Sequence, residues 1–464
     1  MKFALFCSAV ICAQTAVGLE QQADAPTAPI QLESTFQLDN ESTLATADDG
    51  SEVQLVGCEK SGPCKCNKCS CFGYTRSGGC GKCFNWGNDF SLSVGAGIRA
   101  SYNSIEGANP ANGSRKQDFN INNARLYFNG QGHERIGFEF NVDVNNAQNF
   151  DLHGTTPGGF GSFGSLDEGE LRVLDAILKL QLTDTLHLWM GRFLPPSDRS
   201  NLDGPFYLNA WNFPFAQIGY PNIFQGRDDG VSLWGEYGGG AFKWQIGAFE
   251  GESAGGPNFV GQPGTDNLMF TARATLNLLD PEPGYYNAST YYGEKDILAI
   301  GAAVMHRSDA LADSAGSGAV DYTGWNIDAL YETKLCNCGV ITFEGAYYDF
   351  NDNDGVIAGN GPVTLPPSFG PRQGNSYFVL SSYLFPKQHC FLNVKGNFQV
   401  LGRYQSYDRD MVGQTAGGVD DQTDLQLSYI MFGHNARISA VWSQLDTPGA
   451  ENSDTFTIGS QFQF

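Results

Sequence analysis

A succession of short segments in which apolar and polar residues alternate restricts the possible folds of this chain more than any other feature. In residues 135–144, RIGFEFNVDV, every even-numbered position is apolar and every odd-numbered position is polar or glycine. A period of two places the apolar side chains on one face of a β-strand and the polar side chains on the other. Sixteen such segments run from Phe90 to Phe464. The predicted strands are 90–105, 119–131, 135–145, 171–182, 185–193, 228–237, 241–250, 266–279, 296–307, 323–334, 339–350, 375–385, 392–407, 421–432, 434–444 and 454–464.

The connections between the predicted strands alternate between short and long. Short connections such as 238–240 are followed by long ones, of which the third, 194–227, is the longest at 34 residues. Two connections, 280–295 and 387–390, are only somewhat extended for short turns. Short periplasmic turns and long outer loops are typical of bacterial outer-membrane barrels. A soluble sandwich or propeller has no reason to alternate loop length in this way.

The polarity of the two strand faces indicates what lies on each side of the sheet. Unpaired charges in a dry interior cost several kcal/mol each, so an inward polar face requires water and the apolar face requires lipid. Sixteen strands enclose such an aqueous lumen. No window approaches the ~18 apolar residues that a spanning helix needs. We therefore expect an all-β fold, a 16-stranded antiparallel transmembrane β-barrel. The inward candidates are Arg125, Tyr127, Glu139, Asn141, Asp143, Lys179, Gln181, Arg273, Thr275, Asp328, Glu332, Lys395, Asn397, Gln399 and Arg403.

The sequence before the barrel divides into three parts. Residues 1–18 are predicted to be a secretory signal peptide, because Lys2 precedes a short apolar stretch that ends at small residues. Residues 19–57 are acidic, lack periodicity and are interpreted as a flexible linker. Residues 58–85 are interpreted as a cysteine-rich periplasmic module, and residues 86–464 as a barrel in the bacterial outer membrane.

Seven cysteines lie close together in the cysteine-rich module, and three more lie in two short turns of the barrel. Export to an oxidising compartment favours disulfides. A metal site, suggested by the CxxC spacings but without a nearby histidine, and free thiols are the alternatives. Because the module and these turns are expected on the same side of the membrane, we expect the module to be bridged to the turns or to a neighbouring subunit. The disulfide or metal candidates are Cys58, Cys64, Cys66, Cys69, Cys71, Cys80, Cys83, Cys336, Cys338 and Cys390.

Charge and motif content argue against several classes of function. The net charge of −23 excludes nucleic acid as a natural partner. Residues 251–255, GESAG, have the spacing of a nucleophile elbow, but that motif needs a strand before it and a helix after it. Here it falls in a glycine-rich loop. We therefore predict that the chain is not an enzyme, and no cofactor is predicted.

Four stretches resemble a known family: NARLYFNG (123–130), IGFEFNVD (136–143), LWMGRFLPP (188–196) and RDDGV (227–231). They resemble the phosphate-selective porin O/P family of bacterial outer-membrane porins, over roughly residues 88–464. The resemblance implies a sixteen-stranded, usually trimeric channel whose third long loop folds into the lumen. The aromatic content of residues 194–227 agrees with that position, because such a loop is poorly suited to water.

The resemblance also implies that arginines and lysines along the lumen select anions. Acidic lumen candidates are about as numerous here, and the net charge opposes the passage of anions, although a local field can override it. The pore-lining or solute-binding candidates are Arg125, Tyr127, Lys179, Arg199, Lys243, Arg273, Lys395, Arg403 and Arg437.

These observations predict an outer-membrane porin for the passive diffusion of small hydrophilic solutes or ions. Selectivity for phosphate or pyrophosphate and a less selective pore both remain open. The alternative is a structural or surface protein of the outer membrane: a plugged barrel, a tether or an adhesin. The expected partners are outer-membrane lipid, small inorganic or organic solutes, and further copies of the chain in a homotrimer. Phe464 ends an aromatic strand that resembles the signature read by the barrel assembly machinery.

Overall fold

The computed structural model describes residues 45–46, 52–56, 82–86, 90–106, 114–144, 171–214, 226–251, 266–312, 318–336, 338–351, 373–391, 393–410, 418–448 and 452–464. The predicted signal peptide and most of the predicted linker and cysteine-rich module lie outside these residues. Before the barrel, only the backbones of strands β1 (Ala45–Thr46), β2 (Glu52–Val56) and β3 (Lys82–Trp86) are described. Each of these pairs with the next, and β3 pairs with the first residues of the barrel.

Sixteen antiparallel strands form the barrel wall, and each pairs with the next along the chain. The last strand also pairs with the first, from Thr455 opposite Ile105 to Gln463 opposite Gly97, so the sheet closes on itself. The predicted fold is confirmed. The wall strands are β4 (Phe90–Ile105), β5 (Lys116–His133), β6 (Ile136–Val144), β7 (Leu171–Thr183), β8 (Leu186–Phe193), β9 (Asp228–Tyr237), β10 (Phe242–Phe249), β11 (Met269–Asn277), β12 (Ile297–Ala312), β13 (Ala319–Lys334), β14 (Val340–Asn351), β15 (Gly374–Phe391), β16 (Val394–Arg409), β17 (Gly418–Phe432), β18 (Ala436–Asp446) and β19 (Ser453–Gln463).

The hairpin of β15 and β16 is longer than its alternation predicts. The pattern predicts that the first of these strands ends at residue 385, but pairing resumes after a register shift between Leu384 and Gln388. Pro386 lies in this interval and has no N–H to donate to the ladder, which explains the interruption. From Phe385 to the end of β15 at Phe391, all residues are exposed. The hairpin therefore protrudes beyond the wall.

The two faces of the wall differ as the alternation predicts. On β10, Ile246 points outward and is 48% exposed, while its neighbour Gln245 points inward and is buried. Within the ranges given above, no helix has the length and hydropathy needed to cross a membrane. A closed barrel with an apolar outer face is the architecture of bacterial outer-membrane proteins, and the chain belongs in that membrane. Exposed apolar residues of the outer face include Ile98, Leu126, Phe140, Leu178, Phe270, Ile300, Ile327, Val379, Leu425 and Ile458.

Short turns lie at one end of the barrel and long loops at the other. The short-turn end is periplasmic in barrels of this type. Cys336, Cys338 and Cys390 lie at this end, where all three are exposed and none forms a disulfide with another described residue. Tyr383 donates a hydrogen bond to the carbonyl of Cys338, which fixes the β13–β14 turn against β15.

Two connections fold into the lumen. The first is the beginning of the third long loop, residues 194–214, here called the constriction loop; residues 194–211 are buried throughout. The second is the connection between β11 and β12, residues 278–296, here called the inner turn; residues 284–290 are all buried. The inward position of the third long loop confirms the prediction. The inward position of the inner turn is a feature that the alternation does not predict.

Candidate functional site

A short helix leads the constriction loop into the lumen. After two prolines, Asp198 accepts a hydrogen bond from the backbone N–H of Asn201 at 3.2 Å and caps helix α1 (Arg199–Asp203). Gly204 follows the helix and caps its C-terminus, with a φ of 67° that lies in the region that favours glycine. The sequence thus supplies a start and a stop signal on either side of a single turn. This turn carries Arg199 and Asp203 into the buried interior.

Beyond the helix, the loop backbone is bound by side chains of the wall. Arg437 on β18 donates from Nη1 to the carbonyls of Leu208 and Asn209, at 2.8 Å and 3.0 Å. Arg403 on β16 donates to the carbonyl of Asn212 at 2.8 Å. A buried loop needs partners for its backbone polar groups, because unpaired groups cost free energy. Here the polar wall provides those partners.

Two aromatic side chains of the constriction loop fit against glycines of the wall. A Cβ atom added to Gly97 on β4 would lie 2.9 Å from the Phe206 ring, and one added to Gly459 on β19 would lie 2.4 Å from the Trp211 ring. The guanidinium carbon of Arg99 lies 4.1 Å from the centroid of the Trp211 ring, in cation–π contact. The wall is therefore shaped to receive the loop.

The inner turn is anchored on the opposite part of the wall. The Tyr285 ring stacks on Trp189 of β8, with 4.6 Å between the ring centroids. The Tyr285 carbonyl accepts a hydrogen bond from Gln245 on β10 at 2.7 Å. Lys243, on the same strand, donates to the amide oxygen of Asn287 at 2.6 Å. Aromatic stacking and these bonds hold the turn inside the barrel instead of below it.

The constriction loop and the inner turn meet through a buried ion pair. Both terminal nitrogens of the Arg199 guanidinium bind the Glu282 carboxylate, and Arg199 also donates to the carbonyl of Ala288 at 2.6 Å. The backbone N–H of Ser289 donates to the Tyr207 carbonyl at 3.0 Å. Burial opposes ionisation of Glu282, but the Arg199 charge outweighs it and lowers the pKa of Glu282 to about 2. The two segments form one occluding unit.

Most basic side chains of the interior are neutralised by a carboxylate. Arg99, Lys243 and Arg437 differ, because none of the three forms a salt bridge among the described residues. Nε of Arg99 and Nη2 of Arg437 also have no hydrogen-bond partner in the described part of the chain. Positive charge is therefore uncompensated on the wall beside Trp211. The neutralised pairs are Arg125–Asp143, Lys179–Glu139, Arg199–Glu282, Arg227–Asp175, Arg273–Asp328, Arg403–Asp424 and Arg409–Asp420.

The structure brings eight of the nine predicted pore residues to the interior. Lys395 is the ninth; it is exposed at the start of β16, on the protruding hairpin and away from the constriction. Arg99 was not among the candidates, although it continues the inward phase of Gly95 and Gly97 along β4. The eight interior residues are Arg125, Tyr127, Lys179, Arg199, Lys243, Arg273, Arg403 and Arg437.

The middle of the barrel has little contact with water in this conformation. Arg125 is 3% exposed and Arg437 is 0% exposed, and the loop residues between them are buried. Inward side chains become partly exposed toward the ends, as at Asp118 and Asn129 on β5. Two vestibules are thus separated by an occluded belt. In the described residues, no group of three His, Cys, Asp or Glu side chains is placed to hold a metal ion.

No protein-family model and no curated protein matches this chain. Solved structures do. The anion-selective porin from Comamonas acidovorans has a TM-score of 0.51 and 13% identity, over 81% of this chain and 100% of that chain. Salmonella typhi OmpF, in a complex with daunomycin, has a TM-score of 0.51 and 10% identity, over 81% of this chain and 98% of that chain. At these identities the likeness is one of fold: the chain has a porin-type barrel.

Proposed function

We propose that the chain is a passive outer-membrane channel for small hydrophilic solutes, with its selectivity set where the constriction loop meets the wall. One observation carries this proposal. The belt between the vestibules is lined by charged and amide side chains that bind the loop through hydrogen bonds, as Arg437 and Arg403 do. A barrel stabilised only as a scaffold has no need for so many polar contacts, because apolar packing serves as well.

A second function, a plugged structural barrel, is favoured by the occlusion itself. The constriction loop and the inner turn contact each other and opposite parts of the wall. The two functions differ in one measurable property. We expect purified protein in a planar lipid bilayer to give stepwise ohmic currents, because loops held by hydrogen bonds can move. Absence of steps over a wide range of voltage and pH, in protein shown to be folded by heat-modifiable gel mobility, would favour the structural barrel.

For the ion selectivity of this channel, we propose a preference for anions over cations. The net charge of −23 opposes it, but a channel selects at its narrowest part, where low-dielectric walls focus the field. The basic residues with carboxylate partners contribute little there. Arg99 and Arg437 contribute most, because both face the Trp211 ring of the constriction loop and neither forms a salt bridge within the described residues. Phosphate is one anion of suitable chemistry, since guanidinium groups bind it through paired donors.

The test replaces these two charges while keeping hydrogen-bond donors. We expect the double substitution Arg99→Gln and Arg437→Gln to lower the chloride-to-potassium permeability ratio about fivefold, for a change of ~1 kcal/mol in the relative barrier. The reversal potential in a salt gradient measures this ratio. Lys387→Gln with Lys395→Gln is the matched control, because it removes two charges from the exposed hairpin. An equal shift in both double variants would remove the assignment to the constriction.

The remaining expectations concern processing and assembly. We propose that the chain is exported with cleavage of residues 1–18, inserted through recognition of its last strand with Phe464, and assembled as a homotrimer. Native mass spectrometry of detergent-purified protein measures the number of subunits. We also propose that the exposed thiols of Cys336, Cys338 and Cys390 pair with cysteines of the predicted module. Non-reducing mass spectrometry that finds every cysteine free contradicts the pairing.

A further inference from the structure

Two buried carboxylates occupy the region where the constriction loop faces β14, a strand that contacts the loop through a hydrogen bond from Tyr348 to Asp198. Asp203 ends helix α1 and is 0% exposed, and within the described residues neither of its carboxylate oxygens has a hydrogen-bond partner. Glu344 on β14 is also buried; one of its oxygens accepts a hydrogen bond from the Ser289 hydroxyl, and the other has no partner in the described part of the chain. The charge of Glu344 acts directly against ionisation of Asp203. The closed interior therefore contains two carboxylates, Asp203 and Glu344, neither of which forms a salt bridge within the described residues.

The charges that surround Asp203 do not resolve this conflict. From its own helix, Arg199 faces it, but both terminal nitrogens of that guanidinium are bound by Glu282 of the inner turn. From β13, Asp328 adds a further negative charge, and Arg273, the cation nearest to Asp328, is bound to it in two hydrogen bonds. The nearby cations are thus already engaged.

The other charged or titratable groups that face Asp203 and Glu344 interact with them more weakly or lie farther along the wall. The hydroxyl of Tyr291 in the inner turn donates a hydrogen bond to Glu282, and the interaction of Tyr291 with Asp203 is electrostatic. Arg403 on β16 acts favourably on Glu344, but it is hydrogen-bonded to Asp424. Carboxylates therefore outnumber available cations on every side of the pair.

A buried carboxylate in this position is more stable with a proton than without one. Transfer of an unpaired charge into the interior is unfavourable, and binding of a proton removes that charge and supplies a donor. When the loop leaves the lumen, Asp203 returns to water and regains its ordinary acidity. The closed conformation thus binds a proton more tightly than the open one.

We propose that the constriction loop is a proton-linked gate: closure buries Asp203 in its protonated form, and loss of this proton releases the loop. The gate rests on the proposed function as a channel. It explains how an occluded barrel conducts, because occlusion is the protonated state of a reversible equilibrium. The Arg199–Glu282 ion pair then serves as the contact that opens and closes.

The direction of the pH effect follows from the side chains of the loop itself. Burial raises the pKa of Asp203 well above its ordinary value; the charge of Arg199 opposes this shift, and the charge of Glu344 adds to it. Burial, and then Asp328, raise the pKa of Asp198 at the other end of the helix to about 7. A carboxyl group with a raised pKa favours closure below its ordinary value near 4, and this contribution is lost as pH rises through the raised value. Acid closes the gate, and alkali opens it.

The experiment records single-channel activity of the full chain in planar bilayers from pH 4 to pH 9. For each proton released on opening, the ratio of open to closed time rises about tenfold per pH unit between the two pKa values. In parallel, hydrogen exchange with mass spectrometry, corrected for the intrinsic effect of pH, reports the protection of residues 194–214. We expect this protection to fall over the same pH interval.

The test variant is Asp203→Asn with Glu344→Gln, in which amides replace both acids and closure no longer needs a proton. We expect this variant to stay more closed and better protected than the parent chain at pH 8, with only the contribution of Asp198 remaining, and to match the parent at pH 5. Asp184→Asn is the control, because Asp184 lies in an exposed turn. Heat-modifiable gel mobility verifies that each variant is folded, and either single substitution replaces the double one if the latter misfolds.

The outcomes separate the gate from the channel. Conductance and loop protection that are both independent of pH overturn the gate and leave the channel intact. Loop protection that falls with pH in a protein that never conducts supports the gate and removes the channel. If the double variant responds to pH as the parent chain does, another group binds the proton, and the proposal is overturned.

Discussion

At the scale of single residues, the interior depends on where side chains are absent as much as on where they are present. Gly97 and Gly459 leave the space that Phe206 and Trp211 occupy. Gly301 on β12 leaves space for the Arg273–Asp328 ion pair, because a Cβ atom there would lie 2.4 Å from a guanidinium nitrogen of Arg273. Inward glycines thus mark the places where the constriction loop and the ion pairs approach the wall most closely.

The Gly459 position gives a direct test of this fit. We expect Gly459→Ala to displace Trp211 and to destabilise the closed loop by about 1–3 kcal/mol, as overpacking of a buried site does. Open events in bilayer recordings then become more frequent. Gly402→Ala on β16 is the control, since an added Cβ there meets only Leu425 at 3.9 Å. Equal open frequencies in both variants contradict the role of this contact.

The sequence contains part of the residue-level information. The short turn after β5 places Leu126 opposite Val142, so Arg125 and Asp143 come together as a cross-strand pair. Counting from the turn alone misses this pair by one residue, because a bulge between Gln131 and His133 shifts the register. Register counting does not identify the partner of Arg199, because Arg199 and Glu282 lie in two separate connections that both fold into the lumen.

At the scale of elements, period-two alternation predicts the strands well and says little about connections. The bounds of β4 and β9 agree with prediction, since hydrocarbon on one side and polar contacts on the other enforce the pattern. The inner turn has no such pattern. Its length and the four tyrosines of YYNASTYY (285–292) are the signals that distinguish it from the other short turns. A turn this aromatic is poorly suited to an aqueous position.

The inner turn offers a test of which element closes the lumen. Backbone bonds continue the β11–β12 ladder as far as the N–H of Asp280, which donates to the carbonyl of Asp296. We expect replacement of residues 281–295 by Asn-Gly, the preferred two-residue hairpin turn, to leave the wall intact and raise conductance. Arg199 loses its carboxylate partner in this variant, so the loop is less stable inside.

The matched comparison for this replacement is Glu282→Gln, which keeps the turn and removes only the ionic contact. An intermediate conductance is expected for it, because stacking of Tyr285 on Trp189 still holds the turn in place. Unchanged conductance in the shortened chain, with normal heat-modifiable mobility, contradicts the assignment of the inner turn to the occluding unit.

At the scale of the whole molecule, the wall separates two environments across a single layer of backbone. Ile246, at the middle of β10, is 48% exposed on the outer face, and Gln245 beside it is buried on the inner face. Along the wall strands, burial thus tends to have the opposite sense to burial in a soluble protein: the outer face exposes apolar side chains, and the inner face buries many polar ones. The sequence predicts this inversion, and the structure confirms it.

The depth of a residue in the membrane determines how much a charged substitution on the outer face destabilises the barrel. We expect Ile246→Arg to lower the free energy of unfolding by ~2–4 kcal/mol, as charged residues do near the bilayer midplane. Tyr237→Arg, at the turn end of β9, is expected to cost ~0–1 kcal/mol, as near the interface. Urea unfolding in phospholipid vesicles measures both values. Equal costs at the two positions place the membrane elsewhere along the wall.

The pairing of β19 with β4 joins segments that lie at opposite ends of the barrel sequence. Until residues 453–463 exist and find that partner, two strand edges carry rows of unsatisfied N–H and C=O groups, which hydrocarbon does not tolerate. Insertion is consequently coupled to completion of the polypeptide. A chain that stalls during synthesis, or is clipped within its final strand, becomes a substrate for aggregation or proteolysis in place of a smaller pore.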